Sequence, residues 1–96
     1  MLSAPYVIIL ATRFKRDLKR VSKQGKDIDM LENIINVLAN NKKLPTKNKD
    51  HALIGNYDGC RECHIEPDWL LIYKTDQQTK TLKLIRTGSH TELFKN

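Results

Sequence analysis

Around residues 40 to 51 the spacing of apolar side chains changes from the helical period of about 3.6 to the strand period of 2, so the chain must put helices first and a sheet after them. Before the switch, Phe14, Leu18 and Val21 follow Thr12 at spacings of four and three, which predicts a helix capped by Thr12 with a narrow apolar stripe. Gly25 breaks it. Asp29 with Glu32 three places on resembles a capping box and starts a second helix. Its apolar residues Met30, Leu31, Ile34, Ile35, Val37 and Leu38 cover more than one face, so this helix is the more buried; it ends near Asn40-Asn41, before Pro45. The short connection suggests an antiparallel helical hairpin. Ahead of the helices, Val7-Ile8-Ile9-Leu10 reads as a short buried strand.

Leu44 to Asp50 is polar and lysine-rich, a loop. After it, His51 to Ile54, Arg61 to Glu66, Trp69 to Lys74 and Lys80 to Thr87 alternate as strands. Pro67 suits the first central position of a type I turn, so Glu66 to Trp69 closes a hairpin. Strands joined by tight turns are antiparallel. The expected fold is α+β: one domain over residues 1–96, with two N-terminal helices on one face of a twisted antiparallel sheet and the other face left for function. Ser89 to Phe94 forms either a turn of helix or an extended tail.

The two halves differ in charge. Residues 1–49 hold 11 basic and 4 acidic side chains, a balance of +7, whereas residues 50–96 hold 6 and 7, a balance of −1. Arg13, Lys15, Arg16, Lys19, Arg20, Lys23 and Lys26 supply most of the excess, with only Asp17 opposing them. Such a helix suits a phosphate backbone or an acidic protein, or is simply a solvated face. Leu2 to Ala11 is interrupted by Pro5, lacks a basic leader and is too short to span a membrane, so neither export nor insertion is expected. Cys60 and Cys63, the only cysteines, point to opposite faces of a strand, which argues against a disulfide and for a reducing compartment, the cytoplasm. With His64 they make a weak zinc signal; core packing is the competing reading.

The acidic half carries all three histidines and the only tryptophan. Alternation puts Glu62, His64 and Glu66 on the face opposite Cys63 and Ile65, so His64 stands between carboxylates that favour its cation. His51 and His90 flank the sheet. Arg86 falls in register with Leu82 and Leu84, a core-facing position that requires an anion: either Asp68 or Glu66 as an ion pair, or a bound phosphate. Trp69, just after the turn, is placed to stack on a base. Together these groups suit RNA cleavage by internal transfer, in which a base takes the ribose 2′-OH proton, a cation stabilises the phosphorane and an acid protonates the 5′-oxygen. That chemistry uses no metal or other cofactor.

Lys49-Asp50-His51-Ala52-Leu53, the run Arg61-Glu62-Cys63-His64-Ile65-Glu66-Pro67-Asp68-Trp69 through Tyr73, and Arg86-Thr87-Gly88-Ser89-His90-Thr91-Glu92-Leu93-Phe94 resemble the YafQ branch of the RelE-type bacterial toxins. The resemblance runs from residue 12 to residue 94 in order and spacing. It implies a compact microbial-RNase-like fold and the toxin of a type II toxin–antitoxin module, an endoribonuclease that cuts mRNA on translating ribosomes. It further implies a functional set of His51, His64, Asp68, Trp69, Arg86, His90 and Phe94. In that set His90 is the leading acid or base, His51, His64 and Asp68 assist proton transfer, Arg86 stabilises the phosphate, and Trp69 and Phe94 hold bases. Arg13, Lys15, Arg16, Lys19 and Arg20 would contact ribosomal RNA, and a cognate antitoxin would cover the same surfaces. Some relatives of this kind have lost toxicity, so a non-catalytic module binding RNA or antitoxin is the alternative.

Overall fold

The computed structural model describes residues 5–94. Strand β1 (Val7–Leu10) leads into helix α1 (Thr12–Lys23) and helix α2 (Ile28–Ala39). A 3₁₀ turn at Thr46–Asn48, strand β2 (His51–Ala52) and a second 3₁₀ turn at Gly55–Tyr57 follow, before strands β3 (Arg61–Glu66), β4 (Trp69–Asp76) and β5 (Thr81–Gly88) and a final short helix α3 (His90–Phe94). The five strands lie in the order β1-β5-β4-β3-β2. The α+β architecture stands, with one difference: β1 pairs parallel to β5, so the sheet is mixed and only its other pairs are antiparallel. The chain between β1 and β5, which includes both helices and the other three strands, makes this possible, because a parallel partner needs a long connection.

Local chemistry sets the helix limits. Thr12 is the first residue of α1 rather than its cap; Ala11 holds the cap position without a side-chain bond. In α2 the cap is Asp27, whose carboxylate accepts the Asp29 N–H at 3.0 Å, so the capping-box expectation at Asp29 is displaced by two residues. Both helices end in the same paired bonds past a left-handed residue. Gly25 (φ +81°) lets Lys26 N–H reach the Val21 carbonyl and its own N–H reach Ser22, and Asn41 (φ +56°) does the equivalent for Lys42 and Val37.

The helices cover one face of the sheet, where Phe14, Val21, Leu31 and Leu38 pack on Cys63, Leu71, Tyr73, Leu82 and Leu84. Each fully buried side chain of this size stabilises by roughly 1.5–3 kcal/mol. The other face carries a smaller cluster, Leu70 and Ile72 under Leu93, with Leu53, Tyr57 and Ile85 against it. β1 is not the buried strand its composition suggests. Its residues are exposed, from 39% at Leu10 to 63% at Val7, because β1 is the outermost strand. Among the described residues no helix is long and apolar enough to cross a membrane.

Candidate active site

Direct partners in an antiparallel pair share a face, so the register fixes what stands on the uncovered side. His51 opposes Glu62, Glu62 opposes Ile72, and His64 opposes Leu70, which puts both histidines and Glu62 above the Leu70–Ile72 floor. Glu62 is buried between them, its Oε1 3.6 Å from Nε2 of His51 and 3.6 Å from Nε2 of His64. His51 Nδ1 lies 2.7 Å from the Lys49 carbonyl, so Nδ1 carries the proton and Nε2 is left to face Glu62. Glu66 is not part of this group. A register shift at Ile65 pairs Glu66 with Trp69, whose ring lies on the helix-covered side.

Helix α3 brings in the third histidine. Ser89 and Glu92 form a reciprocal cap, the Ser89 N–H donating to Glu92 Oε1 at 2.8 Å and the Glu92 N–H to Ser89 Oγ at 3.1 Å. The Ser-x-x-Glu spacing was the available sign that residues 89–94 are helical rather than an extended tail. Asp68, in the β3–β4 turn, accepts the backbone N–H of His90 at 3.0 Å and lies 2.9 Å from its Nδ1. One carboxylate oxygen therefore holds both the helix start and the ring. The His90 backbone N–H, and then its imidazole, keep Asp68 below the usual carboxylate range, so it is ionised near neutral pH and the Nδ1 proton faces it. Among the described residues His90 Nε2 has no hydrogen-bond partner. Helical spacing puts Phe94 on the same side as His90, their ring centroids 6.4 Å apart, and His90 lies 5.6 Å from His64. The rings form an arc from His51 through His64, His90 and Phe94 to Tyr57, whose edge meets Phe94 at 87°.

Arg86 completes the arc, with neither of its expected partners. Ile72 pairs with Arg86 but Tyr73 with Leu84, leaving Ile85 as an extra residue in β5. This bulge reverses the alternation, so Arg86 leaves the face of Leu82 and Leu84 and stands with Ile72 on the uncovered side. Its anion is Asp17 of α1, not Asp68 or Glu66: Nε donates to Oδ2 at 2.6 Å and Nη2 to Oδ1 at 3.2 Å. Nη1 has only a long contact, 3.5 Å to the Tyr57 hydroxyl. Burial works to raise the Asp17 pKa, but the Arg86 guanidinium, the Thr87 N–H and Arg20 outweigh it and hold the carboxyl below its ordinary 3.8. A depressed folded pKa contributes stability in full above that value and loses it as pH falls through the lowered one. Asp17→Asn is accordingly expected to flatten the acid limb of melting temperature below about pH 4, checked by thermal melts from pH 2 to 7.

Two expected RNA contacts are corrected. Trp69 is fully buried in the main core, its Nε1 donating to Thr87 Oγ1 at 2.9 Å, so its ring cannot stack on a base. It starts β4 on the inward side of the pleat. Arg20 is tied into the fold, with Nη1 2.9 Å from Asp17, Nε 3.0 Å from Glu92 and Nη2 donating to the Thr87 carbonyl at 2.9 Å. Arg13, Lys15, Arg16 and Lys19 are exposed, and Phe94 is 41% exposed beside His90. Arg13 lines the same groove as Ile54, Asn56, Tyr57, Arg86 and Phe94, which joins the basic helix to the histidine face.

Glu62, His64 and His90 each offer a donor atom, all within 4.8 Å of one another, and are the side chains that could hold a metal ion among the described residues. Neither cysteine belongs to this group. Cys63 is fully buried, and burial pushes its thiol up to about 12, far from thiolate character.

The family model for the YafQ toxin, a bacterial toxin of type II toxin–antitoxin systems, matches residues 6–95. The mRNA interferase toxin YafQ of Escherichia coli K12 is 42% identical over 83 residues, which cover 85% of this chain and 88% of that protein. The chain also superimposes on the crystal structure of the E. coli DinJ-YafQ toxin–antitoxin complex with a TM-score of 0.86 at 39% identity, covering 95% of this chain and 99% of the matched one. A metal-bound toxin from Helicobacter pylori gives a TM-score of 0.87 at 43% identity, covering 93% of this chain and 99% of that one.

Proposed function

The chain belongs to the YafQ family of bacterial type II toxin–antitoxin toxins, and from that premise we propose that it is an mRNA endoribonuclease working on the ribosome by metal-independent 2′-OH attack. The carrying observation is that an ionised Asp68 holds His90 with Nε2 free, on the same face as His51, His64, Glu62 and Arg86. His90 is one proton carrier. The negative charge of Asp68 stabilises the imidazolium that exists on one side of each proton transfer. His51 and His64, which share Glu62, supply the second carrier.

Charge that develops on the phosphorane oxygens meets Arg86, whose Nη1 is free of any short contact. Phe94 and Tyr57 offer ring faces and edges to the adjacent bases. The exposed cations Arg13, Lys15, Arg16 and Lys19 bind the phosphates of mRNA or ribosomal RNA. A cognate antitoxin, as DinJ is in the complex with YafQ, covers these surfaces and silences the enzyme.

Induced expression is expected to arrest growth and to produce new mRNA 5′ ends in primer extension, and co-expression of the adjacent antitoxin frame to restore growth. Growth arrest without new 5′ ends would instead identify a non-catalytic RNA binder. Chelator is expected to leave cleavage intact. An ion held by Glu62, His64 and His90 would occupy imidazoles that must carry protons, so its removal frees the machinery rather than disabling it.

A further inference from the structure

Between Thr12 and Lys26 the chain carries seven cations and one acid, and the acid is the one member of the set that is buried, Asp17 being 2% exposed. β1 pairs with β5 only as far as Leu84, so the far end of β5 has an edge free of β1, and α1 lies against it. Asp17 fills that edge. Its Oδ2 accepts the Thr87 N–H at 3.1 Å as well as Arg86 Nε, and its Oδ1 accepts Arg20 Nη1 at 2.9 Å as well as Arg86 Nη2. A carboxylate fork on the Nε–Nη2 side of a planar guanidinium fixes the plane of that group and the direction of its remaining edge. That edge is Nη1, which faces the Tyr57 hydroxyl and the groove lined by Phe94 and Arg13.

We propose that Asp17 is a positioning residue for RNA cleavage, setting the guanidinium of Arg86 so that Nη1 is aimed at the scissile phosphate before substrate binds. The proposal rests on the reading of this face as an RNA-cleaving site. An arginine free to rotate about its side-chain bonds would have to be ordered during the reaction, whereas one already forked to Asp17 requires no such reorganisation. The anchoring neutralises part of the Arg86 charge, so Asp17 favours the chemical step more than ground-state attraction for RNA. The other contacts of Asp17 serve the same end, because Arg20 and the Thr87 N–H hold the carboxylate while it holds Arg86.

The test is a double-mutant cycle on full-length toxin released from its antitoxin, read as single-turnover mRNA cleavage on translating ribosomes. Asp17→Asn is expected to lower the maximal rate by about 10- to 100-fold while changing the half-saturating substrate concentration less than about 3-fold. In an Arg86→Gln background the same substitution is expected to cost less than about 2-fold, because its effect passes through Arg86. Equal losses in both backgrounds would overturn the proposal, since a role for Asp17 exerted only through Arg20 and the Thr87 N–H does not depend on residue 86. Should Asp17→Asn fail to fold, Asp17→Glu keeps the charge that Arg20 and Thr87 require and enters the cycle with the same expected coupling. Cleavage by the wild-type toxin separates the two ideas: its absence removes the RNA-cleaving reading, and its presence without coupling removes only the role of Asp17.

Discussion

His90→Ala is expected to abolish growth arrest and to slow mRNA cleavage by about 10²- to 10⁴-fold, the range for losing a positioned general acid or base. The same variant is expected to melt within about 0.5 kcal/mol of the wild type, as an exposed substitution does. The separation follows from the geometry. The imidazole is 54% exposed, and the bond that Asp68 makes to the His90 backbone N–H survives truncation of the side chain, so α3 keeps its start. Single-turnover cleavage and a urea melt on the same preparation check both halves, and persistent toxicity of a folded His90→Ala would remove His90 from the chemistry. Asp68→Asn should fall between the two proteins, because an amide can still accept the backbone N–H but does not stabilise an imidazolium.

Trp69→Ala is expected to be equally toxic-null for the opposite reason. Truncating a fully buried tryptophan costs about 3–5 kcal/mol, a large part of the roughly 5–15 kcal/mol that holds a domain of this size folded. The void would open beneath the β3–β4 turn that carries Asp68, and the Thr87 hydroxyl would lose the indole N–H while keeping its own bond to the Leu70 carbonyl. Trp69→Phe fills most of that volume and should recover much of the stability and activity. Because Trp69 is the only tryptophan, its fluorescence reports on it alone. Emission at the short wavelengths of a buried indole, unchanged when RNA binds, is the expected result; strong quenching by RNA would restore a stacking role.

Patterning carried much of this protein openly. Phe14 and Val21, at helical spacing, are the buried apolar residues of α1, and the Pro67-Asp68 turn closes the β3–β4 hairpin in its expected place. Glu62 and His64 share the uncovered face because alternation holds along that stretch of β3. Alternation failed where one residue was inserted. The bulge at Ile85 moved Arg86 to the other face, and the shift at Ile65 took Glu66 from beside His64; nothing in either local sequence marks the extra residue. β1 reads as buried by composition, yet burial of a strand depends on its place in the sheet.

The helices-then-sheet order, the split between a basic and a histidine-bearing half, and the residues able to move protons are all legible in the primary structure. These are written in local spacing and side-chain chemistry, which need no knowledge of distant neighbours. The tertiary structure alone decided which charged groups meet. Asp17 and Arg86 are 69 residues apart in the chain, and Arg20 and Glu92 are drawn together by the same docking of α1 on β5. It also decided that Trp69 faces inward. A residue after a tight turn can project to either side, and the register of β4 against its neighbours put this ring in the core.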